Sequence, residues 1–181
     1  MRTRGFLLLA FVLLVTPACR RRKTTAQSDA GAFTQSYKSE NGLITVHYPP
    51  DFAAKKVGKS VIVVSRNFSD GTDEAIAFTP IETPISNDLN EFARVVDIAE
   101  TETLNRYTEK SKQPGLCGPS PAIETTGRWI GKQDGTVYER RSCIFLHNGH
   151  GFAFTYSVPE KHATAELALM KKMIAATDFN R

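Results

Sequence analysis

Two histidines beside a predicted hairpin turn are the side chains best spaced to do chemistry together. His147 and His150 flank Asn148-Gly149, a dipeptide typical of two-residue β-hairpins. In such a hairpin the two imidazoles pair across the strands and could share a metal ion. Zinc requires three or four ligands, and the sequence places no third ligand beside this pair. We therefore predict no metal and no cofactor, and we keep the hairpin tip as a candidate binding surface.

Charged residues on the preceding predicted strand extend this candidate surface. Glu139, Arg140 and Arg141 are consecutive, and outward-pointing strand charges can vary without disturbing an apolar core. The alternative is an ordinary exposed sheet surface.

Aromatic residues offer a second place for a ligand. Phe68, Trp129 and Tyr138 could line a groove, although an aromatic content of 9% favours a role in the core.

Motifs of enzymes do not occur in the chain. There is no Gly-x-Ser-x-Gly, no HExxH and no phosphate-binding glycine-rich loop. We predict no catalytic residues and a non-enzymatic role. The alternative is a small envelope hydrolase with an unfamiliar active site.

The N-terminal residues predict export. Arg2 and Arg4 precede an uninterrupted apolar run at residues 6–15, which is too short to span a bilayer and typical of a signal peptide. Residues 16–18 (Thr-Pro-Ala) and Cys19 then resemble a lipoprotein processing site, with Thr16 where leucine is usual. We predict a signal peptide at residues 1–18 and acylation of Cys19. The alternative is cleavage without acylation and a secreted soluble protein.

The cysteine count supports this interpretation. The chain has three cysteines, and an odd number in an exported protein leaves one thiol to explain. Acylation of Cys19 leaves Cys117 and Cys143, which we predict to form a disulfide in the oxidising envelope. The alternative is two separate buried thiols.

A basic and polar tether is predicted at residues 19–35. It begins with Cys19 and continues with Arg20-Arg21-Arg22-Lys23, which could approach anionic lipids or simply aid solubility. The formal net charge of +4 includes Arg2 and Arg4, which leave with the signal peptide. We therefore expect no nucleic-acid partner.

Residues 36–181 are long enough for one domain, and their patterning predicts an α+β fold. Strands are expected before residue 80, then a helix that begins at Asp88 with Glu91 in a capping box and ends near Arg106. A Pro- and Gly-containing stretch with Cys117 leads to a meander of strands and a C-terminal helix. On the last strand, Phe152 and alternate residues to Val158 should share one side.

Three segments of this domain resemble the PsbP-like domain, which DcrB-type bacterial lipoproteins share. They are residues 37–49 (YKSENGLITVHYP), residues 152–159 (FAFTYSVP) and residues 173–179 (MIAATDF). The likeness extends over most of residues 36–181 and carries no catalytic signature; Phe52 stands where the family often has tryptophan. It implies a mainly antiparallel sheet flanked by helices, in a single domain with an accessory or binding role.

Together these features predict a non-catalytic lipoprotein of the cell envelope. Its expected partners are the membrane, through the lipid anchor, and an envelope protein or small ligand. We expect it to face the periplasm and favour the outer over the inner membrane.

Overall fold

The computed structural model describes residues 33–58 and 60–180. The predicted signal peptide, Cys19 and most of the predicted tether lie outside these residues. The predicted end of the tether at residue 35 is wrong, because Phe33 packs against the core and Gln35 begins β1. The helices and strands of the described part are, in chain order, β1 (Gln35–Lys38), β2 (Ile44–Tyr48), β3 (Ala53–Val57), β4 (Val61–Asn67), β5 (Asp73–Ile81), α1 (Leu89–Thr103), β6 (Thr108–Cys117), β7 (Ser120–Ile130), β8 (Val137–His147), β9 (His150–Pro159), α2 (Ala163–Ala175) and β10 (Asp178–Phe179).

These strands form two antiparallel sheets. The large sheet has seven strands in the order β3-β4-β5-β9-β8-β7-β6, and the small sheet has three in the order β1-β2-β10. Hairpins account for most neighbours, but β5 pairs with β9 across a long stretch of sequence, with Ile76 opposite Tyr156. In the large sheet this pairing joins the two halves of the chain, and in the small sheet the non-local pairing of β10 with β2 does the same.

The helices cover opposite sides of the large sheet. Helix α1 packs on β7 and β8, whereas α2 packs on β9 and on β2 of the small sheet. Alternate residues of a strand point to opposite sides. On β9, Phe152, Phe154, Tyr156 and Val158 join the main core with α2, and Ala153 joins a smaller cluster with Phe92 of α1. We call these two sides the α2 face and the α1 face.

Helix α1 begins where the sequence predicts, but only half of the capping box forms, because the Asp88 N–H donates to Ser86 Oγ and the Glu91 carboxylate pairs with Arg94. Asp88 has an extended backbone, and its carboxylate accepts a hydrogen bond from the Glu91 backbone N–H at 2.9 Å. The helix ends at Thr103, three residues before the predicted end, because Leu104 is extended and Arg106 has a φ of 53°.

Strand β6 corrects one sequence expectation. The Pro- and Gly-containing stretch was expected to connect α1 to the meander, but it pairs with β7 along its whole length. Pro114 is tolerated because β6 is an edge strand with one unpaired side. The α+β class, the mainly antiparallel sheet and the flanking helices are otherwise as predicted.

Candidate functional site

The predicted strand charges do not share one surface. Arg140 lies on the α1 face of β8 and is only 8% exposed, whereas Glu139 and Arg141 point to the other side. Arg141 donates a hydrogen bond from Nε to Glu139 Oε1 at 2.7 Å. The expectation that Arg140 points outward is wrong, because β8 is an inner strand with α1 packed on this face.

Arg140 belongs to a buried polar cluster beneath α1. Its guanidinium forms an ion pair with Glu100, which is 5% exposed and also accepts a hydrogen bond from Ser142 Oγ at 3.1 Å. Glu100 Oε2, Arg140 Nε and Tyr107 Oη are buried without a hydrogen-bond partner among the described residues. Burial, with Glu100 nearby, raises the pKa of Tyr107 to about 12. Arg140 thus has an internal, neutralising partner.

A second buried carboxylate lies on the α2 face. Glu74 is 1% exposed, accepts a hydrogen bond from Tyr156 Oη at 2.7 Å and forms an ion pair with Arg66. Burial raises the pKa of Glu74, and the contacts with Tyr156 and Arg66 oppose that shift. Arg66 also contacts Asp51 at 2.7 Å and Glu166 at 2.6 Å. This network ties α2 to the large sheet.

The two hairpin histidines are opposite each other in register but have separate contacts. His147 Nδ1 lies 3.3 Å from Ser120 Oγ, and its ring centroid is 5.1 Å from that of Phe179. His150 Nδ1 donates a hydrogen bond to the backbone carbonyl of Glu82 at 2.8 Å. Within residues 33–58 and 60–180, no group of three or more His, Cys, Asp or Glu is arranged to hold a metal ion.

Cys117 and Cys143 form the disulfide that the cysteine count predicts. Their Cα atoms are 6.1 Å apart, and both residues are buried. The disulfide borders a cavity of about 300 Å³ between α2 and the β6–β7 hairpin, which Arg141 also lines.

A larger cleft opens on the α1 face beyond the C-terminal end of α1. Its volume is about 460 Å³, and we call it the Trp129 cleft. Its principal walls are the β4–β5 hairpin, the residues that follow α1 and the β7–β8 hairpin. Its lining includes Asn67, Thr72, Asp73, Ala75, Thr103, Asn105, Trp129, Lys132, Gln133, Asp134, Tyr138 and Ser157.

The aromatic wall of this cleft is held in place from both sides. The rings of Trp129 and Tyr138 stack with centroids 4.5 Å apart and an interplanar angle of 15°. Tyr138 Oη donates a hydrogen bond to Asp73 Oδ1 at 2.8 Å. Of the three aromatic residues proposed for a groove, Trp129 and Tyr138 line one. Phe68 instead stacks on His162, with ring centroids 4.0 Å apart.

The aromatic wall of the cleft has a signal in the sequence, whereas its polar rim has none. Asp73, Asn105 and Gln133 come from three separate parts of the chain, and none belongs to a recognisable motif. Only the pairing of β5 with β9 brings Asp73 beside Asn105 and Gln133.

The fold is PsbP-like. Cyanobacterial PsbP from Synechocystis sp. PCC 6803 has a TM-score of 0.55 and 13% identity over 86% of this chain and 98% of its own. LpqN, described as involved in cell envelope biogenesis of Mycobacterium tuberculosis, has a TM-score of 0.51 and 13% identity over 81% of this chain and 90% of its own.

A protein from Bacteroides thetaiotaomicron has a TM-score of 0.59 and 12% identity over 82% of this chain. The match spans about half of that longer chain, 49%. No protein-family profile and no curated protein sequence matches. In the part of the chain that the structure describes, no helix is both long and apolar enough to cross a membrane.

Proposed function

We propose that the chain is a non-catalytic, membrane-tethered binding protein of the cell envelope that holds its ligand in the Trp129 cleft. Acylated Cys19 would anchor it, and the residues between Cys19 and Phe33 would let the domain reach away from the membrane on the periplasmic side, since Phe33 already packs against the core. The sequence of the first 23 residues supports the anchor, and the PsbP-like fold is compatible with an accessory role. Within this proposal we favour the outer membrane over the inner membrane as the site of the anchor.

The observation that carries the binding role is the contrast between the cleft and the buried charges. Glu74 and Glu100 each hold an arginine in an internal ion pair. The polar residues at the rim of the cleft are instead exposed, as at Asn67, Gln133 and Asp134. A pocket of this size with an aromatic wall and several convergent polar groups is the usual form of a small-ligand site.

In-cell photo-cross-linking tests the place of binding. The full chain carries p-benzoylphenylalanine in place of Gln133 at the rim or, as a control, in place of Lys55 on the exposed edge strand β3. We expect ultraviolet light to give an adduct at position 133 and none at position 55. Equal adducts at both positions, or none at position 133, would contradict binding in the cleft.

Fractionation of the same cells tests the tether. Cys19→Ser should release the protein from membranes or block its processing, and intact mass should show the acyl groups on the parent. Membrane association that survives Cys19→Ser would refute the lipid anchor. Turnover of a substrate that is lost on substitution of one cleft residue would refute the non-catalytic role and favour the hydrolase.

A further inference from the structure

We propose that the ligand of the Trp129 cleft is a neutral saccharide. This inference rests on the proposed binding role and names the chemical class of the ligand. It rests on the polar side chains that line the cleft together with its aromatic wall.

The polar lining contains three kinds of hydrogen-bonding group. Asp73 and Asp134 carry carboxylates, which only accept, and Lys132 carries an ammonium, which only donates. The remaining polar side chains contain groups of both kinds: the amides of Asn67, Asn105 and Gln133 and the hydroxyls of Thr72, Thr103 and Ser157. Three of them already donate within the protein, Thr72 to Asp70, Thr103 to the Ala99 carbonyl and Asn105 to the Ile130 carbonyl, so these three offer a ligand mainly acceptors. A ligand with many neighbouring hydroxyls can satisfy all three kinds, because each hydroxyl donates one hydrogen bond and accepts others.

Simple ions match this lining less well. An anion would face the two carboxylates, and a cation would face Lys132 and leave the amide donors without acceptors. The charge of the ligand matters because the interaction energy of two charges at short range in a partly desolvated site amounts to several kcal/mol, favourable for unlike charges and unfavourable for like charges. A neutral ligand avoids both conflicts.

The aromatic wall suits the apolar side of a sugar ring. The faces of aromatic rings carry partial negative charge, and the C–H bonds on one side of a pyranose can pack against them. Trp129 is held by its stack on Tyr138, and Tyr138 by its hydrogen bond to Asp73. The wall is therefore formed before a ligand arrives, which lowers the ordering cost of binding.

The floor and position of the cleft favour a compact ligand. Ala75 and Ser157 lie opposite each other on β5 and β9, and both stay partly accessible because α1 ends before covering them. The edge strands β3 and β6 are where a peptide could add as a further strand. The cleft instead opens on the face of the sheet.

The chain contains one tryptophan, so the fluorescence of Trp129 reports directly on the cleft. The full processed protein is purified in a detergent without a sugar headgroup and titrated with maltose and with N,N′-diacetylchitobiose. We expect a saturable change for at least one disaccharide, with the same dissociation constant by calorimetry. Asp73→Asn keeps an acceptor for Tyr138 but loses the charge, and should weaken binding about tenfold or more.

Two further variants separate binding from folding. Gln133→Ala alters an exposed rim residue and should weaken binding without changing thermal stability. Asp178→Asn is the matched control, because this exposed carboxylate belongs to β10 of the small sheet and contacts His47 there. It should leave the sugar affinity unchanged.

The saccharide assignment is overturned if neither disaccharide gives saturation, or if tetramethylammonium, acetate or glycylglycine saturates the fluorescence change instead. Saccharide binding unaffected by both Asp73→Asn and Gln133→Ala would also overturn the assignment of the site. If position 133 still cross-links in cells while the sugars fail, the proposed function stands and only the ligand class is wrong. If position 133 does not cross-link and neither sugar binds, the binding role itself is refuted.

Discussion

The α1 face and the α2 face of the large sheet are built from alternate residues of the same strands, and each has one buried carboxylate–arginine pair, but the aromatic core lies almost entirely on the α2 face. On the α2 face, the rings of Phe145, Phe152 and Phe154 pack with Phe179 of the small sheet. On the α1 face, the neighbouring strand residues include Ser142, Thr155 and Arg140, whose guanidinium forms a buried ion pair with Glu100 of α1.

The degree of cover differs as well. Helix α2 and the small sheet cover most of the α2 face and leave the cavity of about 300 Å³ beside the disulfide, so the aromatic side chains of the strands there are almost completely buried. Helix α1 covers only part of the α1 face and leaves the Trp129 cleft beyond its last turn. We infer that one side of the sheet supplies most of the stability, and that this allows the other side to keep polar groups and an open site.

The largest expected difference in stability is between substitutions of two adjacent residues on β9 that point to opposite faces. Phe154→Ala should lower the free energy of unfolding by about 3–5 kcal/mol, because it leaves a cavity among four aromatic rings. Thr155→Ala removes hydrogen bonds to Ser142 and Glu100 and should cost about 1 kcal/mol. Urea denaturation of both variants measures the difference, and equal losses would contradict the contrast between the faces.

The next pair is Arg140 and Arg141, which are consecutive but point to opposite faces. Arg140→Met leaves the carboxylate of Glu100 buried without its partner and should cost about 3–5 kcal/mol. Arg141→Met breaks a partly exposed pair with Glu139 and should cost about 1 kcal/mol or less. Thermal or urea unfolding compares them. A double variant, Arg140→Met with Glu100→Leu, should recover much of the first loss, which a purely steric effect would not allow.

The disulfide provides the third test. Cys117→Ser should cost about 3 kcal/mol, since the bond closes a loop with a sequence separation of 26. Cys143→Ser and the double variant should lose the same amount, because each removes one and the same constraint. Reductant should lower the stability of the parent and leave all three variants unchanged. Alkylation of both thiols in the denatured parent without reductant would show that no disulfide is present.

Much of the fold follows from local signals in the sequence. Asp88 and Glu91 mark the start of α1, and Asn148-Gly149 marks the β8–β9 turn, with φ values of 49° and 77°. The alternation from Phe152 to Val158 predicts one face of β9 correctly. These signals work because caps, tight turns and strand periodicity depend on neighbours in the chain.

The site was harder to predict because its members meet only through long-range pairing. Arg140 looks like an exposed strand charge in the sequence, and only the position of α1 shows that Glu100 lies against it. Trp129 and Tyr138 were recognised as candidates by type, but Asp73 comes from a distant strand. Strand β6 was missed because its exposed, Pro-containing sequence lacks the alternation of a half-covered strand.

The two outer strands of the large sheet also bear on how the protein behaves when many copies share a membrane. Among residues 33–58 and 60–180, no strand pairs with the outer sides of β3 and β6, and such rows of backbone amide and carbonyl groups can template pairing between molecules. β3 carries Lys55 and Lys56, and β6 carries Lys110, Lys112 and a bulge between Glu109 and Ser111. Repulsion between lysines and the local twist of a bulge both oppose such pairing. If Cys19 confines the chains to a surface, where encounters are frequent, these edges would keep neighbouring copies from joining into one continuous sheet.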